Sequence, residues 1–294
     1  MIILVTGAKG LVGSHFIEHF ALKGVTVLLP AQNELNITNQ KSVEDFLNLN
    51  KPDVIIHFAA FTDVSLAEKQ RNNRKAPCWI INVEGTVNLI SAANPEAYFI
   101  YISTDVVFPG NKDNPGPYQE DDLPGNNLDL LSWYGQTKLE AENIVKNNKK
   151  NAVILRISNP VRARYKFKLD YVRKILALYD QNRLYPMFND QYLTLTYVNE
   201  VTATIEALLK KRLTGIFHTS SINVFTPYKL ANLLIEKSRG KKGAILPISI
   251  ESFLNDNPSR YPQYGGLKVE KTQKRLGLNF KRWEEIIDVL AKQL

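Results

Sequence analysis

The chain has few of the residues that bind metals or form cross-links: among its 294 residues there are one cysteine, Cys78, and four histidines. A single cysteine excludes a disulfide within the chain and any zinc site built from several cysteines. The histidines form no spaced cluster, so we expect no metal site. We expect Cys78 to be a half-buried, small apolar residue.

Long apolar runs are also missing, and none reaches the roughly 18 residues of a membrane-spanning helix. The chain does not open with a basic segment followed by a cleavage site, because Met1 leads directly into an apolar strand pattern. We therefore expect a cytoplasmic protein that does not interact with a membrane.

Acidic residues are in the minority, with 29 against 37 basic ones, which gives a formal net charge of +8. The densest basic stretch holds Arg162, Arg164, Lys166 and Lys168 and matches no nucleic-acid module. The remaining basic residues are spread along the chain. We expect no nucleic-acid partner, and we attribute the positive charge to solvated surface or to attraction of an anionic substrate and cofactor.

A glycine pattern follows the first apolar strand. Residues 2–6 are apolar, and Gly7, Gly10 and Gly13 then lead into a helical pattern over 14–23. A strand, a glycine-rich turn and a helix in this order direct backbone N–H groups at a pyrophosphate. The spacing differs from G-x-G-x-x-G by one residue, and close packing of the helix on the sheet is the alternative interpretation.

A tyrosine and a lysine further along form a second pattern. Tyr134 and Lys138 lie four residues apart, on one face of a helix predicted over 134–147. A nearby ammonium favours the phenolate and is expected to lower the pKa of Tyr134 from about 10. The alternative interpretation is that Tyr134 and Lys138 lie on a solvent-exposed helix face, where Lys138 pairs with Glu142 four residues further on. Together the two patterns suggest a nicotinamide oxidoreductase.

The first half of the chain alternates strand and helix patterns, which is typical of a parallel sheet with right-handed crossovers. Strands are predicted at 2–6, 25–29, 54–58, 98–103, 152–157, 194–198 and 215–219. Helices are predicted at 14–23, 38–48, 82–93, 134–147, 169–180, 201–210 and 228–238, with Thr38 capping the second and Thr226 capping the last. The segment 108–131 is rich in Pro, Gly, Asn and Asp and is long enough to suggest a function.

The chain resembles the extended short-chain dehydrogenase/reductase superfamily, and within it the dTDP-4-dehydrorhamnose reductase-like branch. The resemblance is carried by motifs in the family's order, closely over residues 1–160 and in outline beyond. These motifs are Thr6-Gly7-x-x-Gly10-x-x-Gly13, Glu34-Leu-Asn-Ile-Thr38, His57-x-Ala59-Ala60, Asn82-Val-x-Gly-Thr86, Ser103-Thr104-Asp105, Tyr134-Gly-x-Thr-Lys138 and Leu155-Arg156-Ile-Ser158.

The resemblance implies an α/β protein, with a Rossmann doubly wound parallel sheet and a smaller C-terminal α/β substrate lobe. The NAD(P)-binding domain would comprise residues 1–160 and about 194–219, and the substrate lobe 161–193 and 220–294. The lobe is expected to face the carboxyl edge of the sheet. The resemblance to this branch is compatible with a homodimer.

The catalytic residues implied by the resemblance are Thr104, Tyr134 and Lys138, with a nucleotide sugar as substrate. The implied cofactor-binding residues are Gly7, Lys9, Gly10, Leu11, Val12, Asn36, Ile37, Phe58, Ala59, Ala60, Asn82, Ser103, Tyr134, Lys138 and Ser158. The expected reaction is reduction of a 4-keto nucleotide sugar by NADPH in a dTDP-rhamnose-type pathway.

Some residues near these motifs allow more than one interpretation. Ser103 and Thr104 end a predicted strand, where a hydroxyl either binds the substrate carbonyl or is satisfied locally. Asp105 either caps a turn or orients a sugar hydroxyl. We expect His57 to be a packed residue at a strand end. No G-x-S-x-G motif occurs, which argues against a hydrolase triad.

The match to the branch weakens in the region where the substrate should be selected. After Arg156 the branch usually reads Thr-Ser-Trp-Val-Tyr-Gly, whereas this chain reads Ile-Ser158-Asn159-Pro160-Val161-Arg162. Two alternatives therefore stay open. One is another dehydrogenase or epimerase of the superfamily, acting on a sugar or a small ketone. The other is a cofactor-binding regulatory subunit without turnover, because the branch includes a regulatory subunit of methionine adenosyltransferase.

We predict that NADP(H) binds more tightly than NAD(H), which is also accepted. The second strand is not followed by a carboxylate until Glu34, and Lys9 precedes Gly10, where a basic residue can meet a 2′-phosphate. Fluorescence titration should show a preference for NADPH that shrinks in Lys9→Ala. Equal affinity for NADH, or an unchanged preference in the variant, would contradict the prediction.

Overall fold

The computed structural model describes residues 1–125, 127–256 and 261–294. The chain divides into two compact units of similar length. Unit 1 comprises Met1–Val107, Leu131–Arg156 and Ile205–Phe217, and unit 2 comprises Phe108–Leu130, Ile157–Thr204 and His218–Leu294. The late stretch of chain that belongs to unit 1, Ile205–Phe217, is shorter than the predicted 194–219. The loop-rich segment after Val107 belongs to unit 2.

The strands are β1 Ile2–Thr6, β2 Thr26–Leu28, β3 Val54–His57, β4 Tyr98–Thr104, β5 Ala152–Ile157, β6 Pro160–Val161, β7 Met187–Phe188, β8 Thr196–Tyr197, β9 Gly215–Thr219 and β10 Pro247–Ile248. The α-helices are α1 Leu11–His19, α2 Gln40–Asn50, α3 Val64–Glu68, α4 Pro77–Trp79, α5 Gly85–Ala92, α6 Trp133–Asn148, α7 Tyr171–Asp180, α8 Val198–Lys211, α9 Pro227–Arg239, α10 Glu251–Asp256, α11 Glu270–Leu276 and α12 Trp283–Ala291. In the described ranges no helix is long and apolar enough to cross a membrane.

The central sheet has six strands in the order β2-β1-β3-β4-β5-β9, and the pairs β1–β2, β1–β3 and β3–β4 are parallel. The order reverses between β1 and β3, because β2 lies on one side of β1 and all later strands lie on the other. Ligands of open α/β sheets bind beyond the carboxyl ends of the strands at such a switch point. The predicted α/β class with a parallel, Rossmann-type sheet is confirmed.

Successive residues of the inner strands are buried, which is the pattern of a sheet covered on both faces. In β1, Ile3, Leu4 and Val5 are all fully buried, and the three apolar residues of β3 are buried in the same way. Leu4 and Ile55 belong to one core cluster with side chains from α2, α5 and α6. The near-continuous apolar runs of the sequence therefore form the centre of unit 1.

Several predicted helix starts are wrong, and α1 and α8 each begin three residues earlier than predicted, at Leu11 and Val198. Helix α2 begins two residues later than expected and is capped by Asn39, whose side chain accepts the N–H of Ser42, because the Thr38 hydroxyl donates instead to Asn36 Oδ1. The helix predicted over 82–93 is a π-helix at Ile80–Glu84 followed by α5. The cap of α9 is confirmed, since Thr226 accepts the N–H of Lys229 and Gly240 ends the helix with φ 68°.

Unit 2 has a hydrophobic core of its own, formed by α7, α9 and α12 with β6 and the short strand β7. Val172, Leu234 and Ile287 are fully buried in this core. In the loop-rich segment after Val107, the rings of Phe108 and Tyr118 are stacked, with their centroids 3.9 Å apart. The Tyr118 hydroxyl also accepts the N–H of Gly110, at 2.8 Å.

A buried ion pair joins α6 to β5 in unit 1. The Arg156 guanidinium donates to both carboxylate oxygens of Glu142, at 2.9 and 2.6 Å. The two side chains are 2% and 4% exposed. A bidentate pair with this burial fixes the helix on the sheet, and the loss of either partner leaves an uncompensated buried charge.

We predict that Arg156→Met lowers the free energy of unfolding by about 3–5 kcal/mol, because Glu142 loses its buried partner. The measurement is urea denaturation followed by circular dichroism. The matched control is Lys41→Met, which removes the exposed i,i+4 pair with Asp45 and should change the free energy by less than about 0.5 kcal/mol. Equal effects of the two substitutions would show that burial does not govern this pair.

Candidate active site

The glycine turn lies at the carboxyl end of β1. Gly7 has φ 69°, and a Cβ built on it would lie 2.5 Å from the backbone nitrogen of Ala59. The N–H of Gly10 donates to the Gly7 carbonyl at 2.9 Å, and α1 begins at the next residue, Leu11. Gly10 is the N-cap and has no side chain to cap the helix, so the N-terminus of α1 is shaped for an external anion.

Gly13 fixes how closely the helix approaches the turn. A Cβ at this position would lie 2.4 Å from the Gly7 carbonyl oxygen. The predicted contacts Leu11 and Val12 lie in the first turn of α1 and are partly buried, while Lys9 is exposed in the turn. The structure therefore brings together the five predicted residues of the first motif.

The segment after β3 forms the other side of the switch point. Phe58, Ala59 and Ala60 are partly buried, and Ala59 lies directly against Gly7. The N–H of Phe58 donates to the Thr6 carbonyl at 3.1 Å. The cofactor residues predicted at the ends of β1 and β3 are thus neighbours in space.

Asn36 and Ile37 lie between β2 and α2 and are partly buried. The Asn36 side chain accepts the N–H and the hydroxyl of Thr38, at 3.1 and 2.8 Å. Ile37 packs against Gly85, where a Cβ would lie 2.9 Å from its Cδ1 atom. The Glu34 carboxylate accepts the N–H of Ala31 at 2.6 Å, so it is engaged within its own turn.

Three polar residues follow one another where β4 ends. Ser103, Thr104 and Asp105 are 2%, 8% and 7% exposed. The Thr104 hydroxyl donates to Asp105 Oδ1 at 3.2 Å. The buried Ser103 hydroxyl has no hydrogen-bond partner among the residues that the structure describes.

Tyr134 and Lys138 lie in the first two turns of α6, beside the end of β4. The Lys138 ammonium donates to the Ile102 carbonyl at 2.7 Å and lies 4.0 Å from the ring centroid of Tyr101. Burial lowers the pKa of Lys138 to about 7, although the Glu142 carboxylate acts in the opposite direction.

The expected lowering of the Tyr134 pKa is wrong. Burial raises the pKa of its phenol well above the usual value, and the negative charge of Asp105 raises it further. The sequence spacing indicated the proximity of Lys138 but could not show the desolvation of both groups. The structure therefore holds Tyr134 as a neutral phenol at physiological pH.

The predicted cofactor residue Asn82 is buried and acts on the backbone. Its side chain accepts the N–H of Phe61 at 2.7 Å, and its amide nitrogen donates to the Phe61 carbonyl and to the Thr137 hydroxyl at 3.2 and 2.9 Å. Cys78 is also fully buried rather than half-buried, with its thiol 3.7 Å from the Thr137 hydroxyl. Asn82 thus holds the segment that follows Ala60.

Ser158, also predicted to contact the cofactor, belongs to unit 2. Its hydroxyl donates to the Thr194 carbonyl at 3.1 Å, and its N–H donates to the Thr196 hydroxyl. All the other predicted site residues lie in unit 1. Across the described ranges, no group of three or more His, Cys, Asp and Glu side chains is arranged to hold a metal ion.

Sequence reasoning missed the roles of three threonines. Thr6, Thr86 and Thr137 are buried, and each donates or accepts a side-chain hydrogen bond next to a predicted site residue. All three occur in the motifs that carry the family resemblance. Their position in those motifs was the available signal, but a hydroxyl within a motif does not reveal its partner.

The sequence model of the RmlD substrate binding domain matches residues 1–294. The chain belongs to this family. The chain is 27% identical over 286 residues to the spore coat polysaccharide biosynthesis protein SpsK of Bacillus subtilis, covering 97% of this chain and 95% of that protein. It is 30% identical over 313 residues to the methionine adenosyltransferase 2 subunit beta of Xenopus tropicalis, covering 99% and 90%.

Two solved structures are similar to this chain. The dTDP-4-dehydrorhamnose reductase of Bacillus anthracis in complex with NADP has a TM-score of 0.85 at 27% identity, covering 100% of this chain and 99% of that one. Its counterpart from Clostridium acetobutylicum has a TM-score of 0.86 at 28% identity, covering 99% of both. The resemblance to the dTDP-4-dehydrorhamnose reductase-like branch, a branch of NAD(P)-dependent oxidoreductases, is confirmed.

We predict that Gly13→Ala weakens NADPH binding at least tenfold, because the new Cβ must displace the Gly7 carbonyl and with it the turn. The measurement is NADPH titration, with the melting temperature recorded in parallel. The control is Gly125→Ala, where the added Cβ would meet only ordinary contacts of 3.5 Å and more. Normal NADPH affinity in a folded Gly13→Ala variant would show that this close approach does not shape the cradle.

Proposed function

We propose that this protein is an NADPH-dependent reductase of a 4-keto nucleotide sugar. The observation that carries the proposal is that the glycine turn at the switch point and the Thr104–Tyr134–Lys138 set both belong to unit 1. NADPH, when bound, supplies the hydride that adds to the ketone carbon. Tyr134 donates the proton to the ketone oxygen, so the products are the alcohol and NADP⁺.

The glycine turn suits a dinucleotide because glycine at positions 7 and 13 lets the start of α1 and the segment after β3 pack closely on the turn, which places the helix N-terminus at the switch point. Cβ atoms at Gly7 and Gly13 would meet backbone atoms at 2.5 and 2.4 Å. We assign the pyrophosphate to the N-terminus of α1 and the 2′-phosphate to the exposed Lys9. The Glu34 carboxylate accepts the N–H of Ala31 and is therefore not held towards a ribose. We infer that NADP(H) is preferred and that NAD(H) is also accepted.

Burial keeps the Tyr134 phenol protonated before the reaction, so it holds a proton that it can give to the ketone oxygen, and the transfer then depends on stabilisation of the phenolate. A Lys138 pKa of about 7 keeps a substantial ammonium fraction at neutral pH. That charge stabilises the phenolate once the proton has left. We assign the Thr104 hydroxyl to hold the ketone oxygen, since its present bond to Asp105 is long and can be exchanged.

We further propose that unit 2 supplies the substrate contacts, so that unit 1 is the cofactor domain and unit 2 the substrate domain. The replaced aromatic motif, Asn159-Pro160-Val161, lies in unit 2 and would set the identity of the sugar. A cytoplasmic location and a homodimer remain part of this proposal.

The second candidate is a cofactor-binding regulatory subunit. It is favoured by the 30% identity to a methionine adenosyltransferase 2 subunit beta. The discriminating experiment is NADPH consumption with dTDP-4-keto sugars and a panel of ketones. Turnover supports the reductase, whereas NADPH binding without turnover on any ketone supports the regulatory subunit.

We predict that Tyr134→Phe lowers turnover by roughly 10²–10⁴ and leaves NADPH affinity nearly unchanged, because only the proton donor is lost. Lys138→Met should reduce both turnover and NADPH affinity, since the ammonium serves the phenol and the nicotinamide ribose. The measurements are steady-state NADPH oxidation and direct cofactor titration.

Thermal melts of both variants provide the folding control. Full ketone reduction by a folded Tyr134→Phe variant would remove Tyr134 from the mechanism. A Lys138→Met variant that binds NADPH normally would limit the lysine to the chemical step.

A further inference from the structure

A row of buried polar side chains crosses unit 1 from β1 to the π-helix. His57 lies in its middle, 1% exposed, with Nδ1 2.6 Å from the Thr6 hydroxyl and Nε2 3.2 Å from the Thr86 hydroxyl. At one end the N–H of Ala59 approaches Thr6 Oγ1 at 3.4 Å, and at the other Thr86 donates to the Asn82 carbonyl at 2.7 Å.

The partners at the two ends fix the direction of every proton in the row. The Asn82 carbonyl can only accept, so the single hydroxyl proton of Thr86 is used there. Thr86 must therefore accept from His57, which places the ring proton on Nε2. In a neutral ring Nδ1 then has no proton and accepts from Thr6, which leaves a Thr6 lone pair for the N–H of Ala59.

The ring is neutral because burial lowers the pKa of His57 to about 3, and the positive charge of Lys138 acts in the same direction. Protonation would also put a hydrogen on Nδ1, facing the hydroxyl proton of Thr6. With a pKa of about 3, the ring stays neutral and the row keeps one proton arrangement at neutral pH.

We propose that His57 is a positioning residue for the cofactor, which holds Ala59 against the Gly7 turn through Thr6 and connects it to Asn82 through Thr86. The inference rests on the proposed NADPH-binding function. The two ends of the row are the two backbone segments predicted to meet the cofactor. Ala59 packs on Gly7, and Asn82 holds Phe61 through paired amide hydrogen bonds. A substitution of the buried His57 is therefore expected to disturb both backbone segments.

The first test measures the tautomer without any cofactor. In ¹⁵N-labelled protein, long-range ¹H–¹⁵N spectra should show His57 with Nε2 protonated and Nδ1 unprotonated, unchanged between about pH 5 and 9. The signals are assigned by their loss in His57→Gln. A proton on Nδ1, or a ring that becomes positively charged within this range, would overturn the proposal.

The second test separates the two ends of the row. The side-chain oxygen of His57→Asn can replace Nδ1 as the acceptor for Thr6, whereas the amide nitrogen of His57→Gln can replace Nε2 as the donor to Thr86. We expect NADPH affinity to fall about tenfold in His57→Gln, which frees the Thr6 hydroxyl to rotate, and only about threefold in His57→Asn. The KM for NADPH should rise in the same order, with kcat at saturating NADPH changing less.

The matched control is His218→Asn. His218 is fully buried in unit 2 and bonds to the Lys268 carbonyl through Nδ1, so its loss perturbs packing elsewhere. We expect a lower melting temperature with unchanged NADPH affinity. If both His57 variants bind NADPH like the wild type or like this control, the positioning role is wrong while the proposed function stands. If the wild type binds neither NADPH nor NADH, the proposed function fails and the positioning role fails with it.

Discussion

The close approach of Gly7 to Ala59 is the constraint on which the site depends. It requires a residue without a side chain at the end of β1 and a backbone conformation with φ 69°. It also requires β1 and β3 to be adjacent and parallel, so that both strands end at the same edge of the sheet. The same turn determines that α1 begins at Leu11 and that position 13 has no side chain, because a Cβ at Gly13 would push the helix away from the Gly7 carbonyl.

Burial has opposite consequences for the two cations of α6 and β5. Arg156 is fully enclosed beside a carboxylate that accepts two of its N–H groups, and the pair is neutral as a unit. Lys138 is buried beside the Ile102 carbonyl and the Tyr101 ring, and this burial lowers its pKa to about 7 although the Glu142 carboxylate acts in the opposite direction. The first cation stabilises the attachment of the helix, whereas the second has a pKa at which it can gain or lose its proton near neutral pH.

Much of the fold could be predicted from the sequence because the buried strands are long apolar runs with clear turn residues between them. The residues at the ends of β1, β3 and β4 could be predicted because parallel strands place their carboxyl ends together. The cap at Asn39, the π-helix around Asn82 and the pKa of Tyr134 could not. The cap is decided locally, because Thr38 and Asn39 are both suitable cap residues and the Thr38 hydroxyl bonds to Asn36 instead. The 3.6-residue period cannot distinguish a π-helix of one turn from an α-helix. The pKa of Tyr134 depends on desolvation by residues distant in the sequence. The same limit applies to His57, whose role depends on two hydroxyls 51 and 29 residues away.

The shape of the sheet edge has a consequence for behaviour at high concentration. The edge strand β2 is only three residues long, and Thr26 at its start is exposed while the other two are partly buried. A strand of three residues offers few unpaired N–H and C=O groups with which a strand of another chain could pair. At the β2 edge of its sheet, unit 1 therefore offers little template for edge-to-edge aggregation.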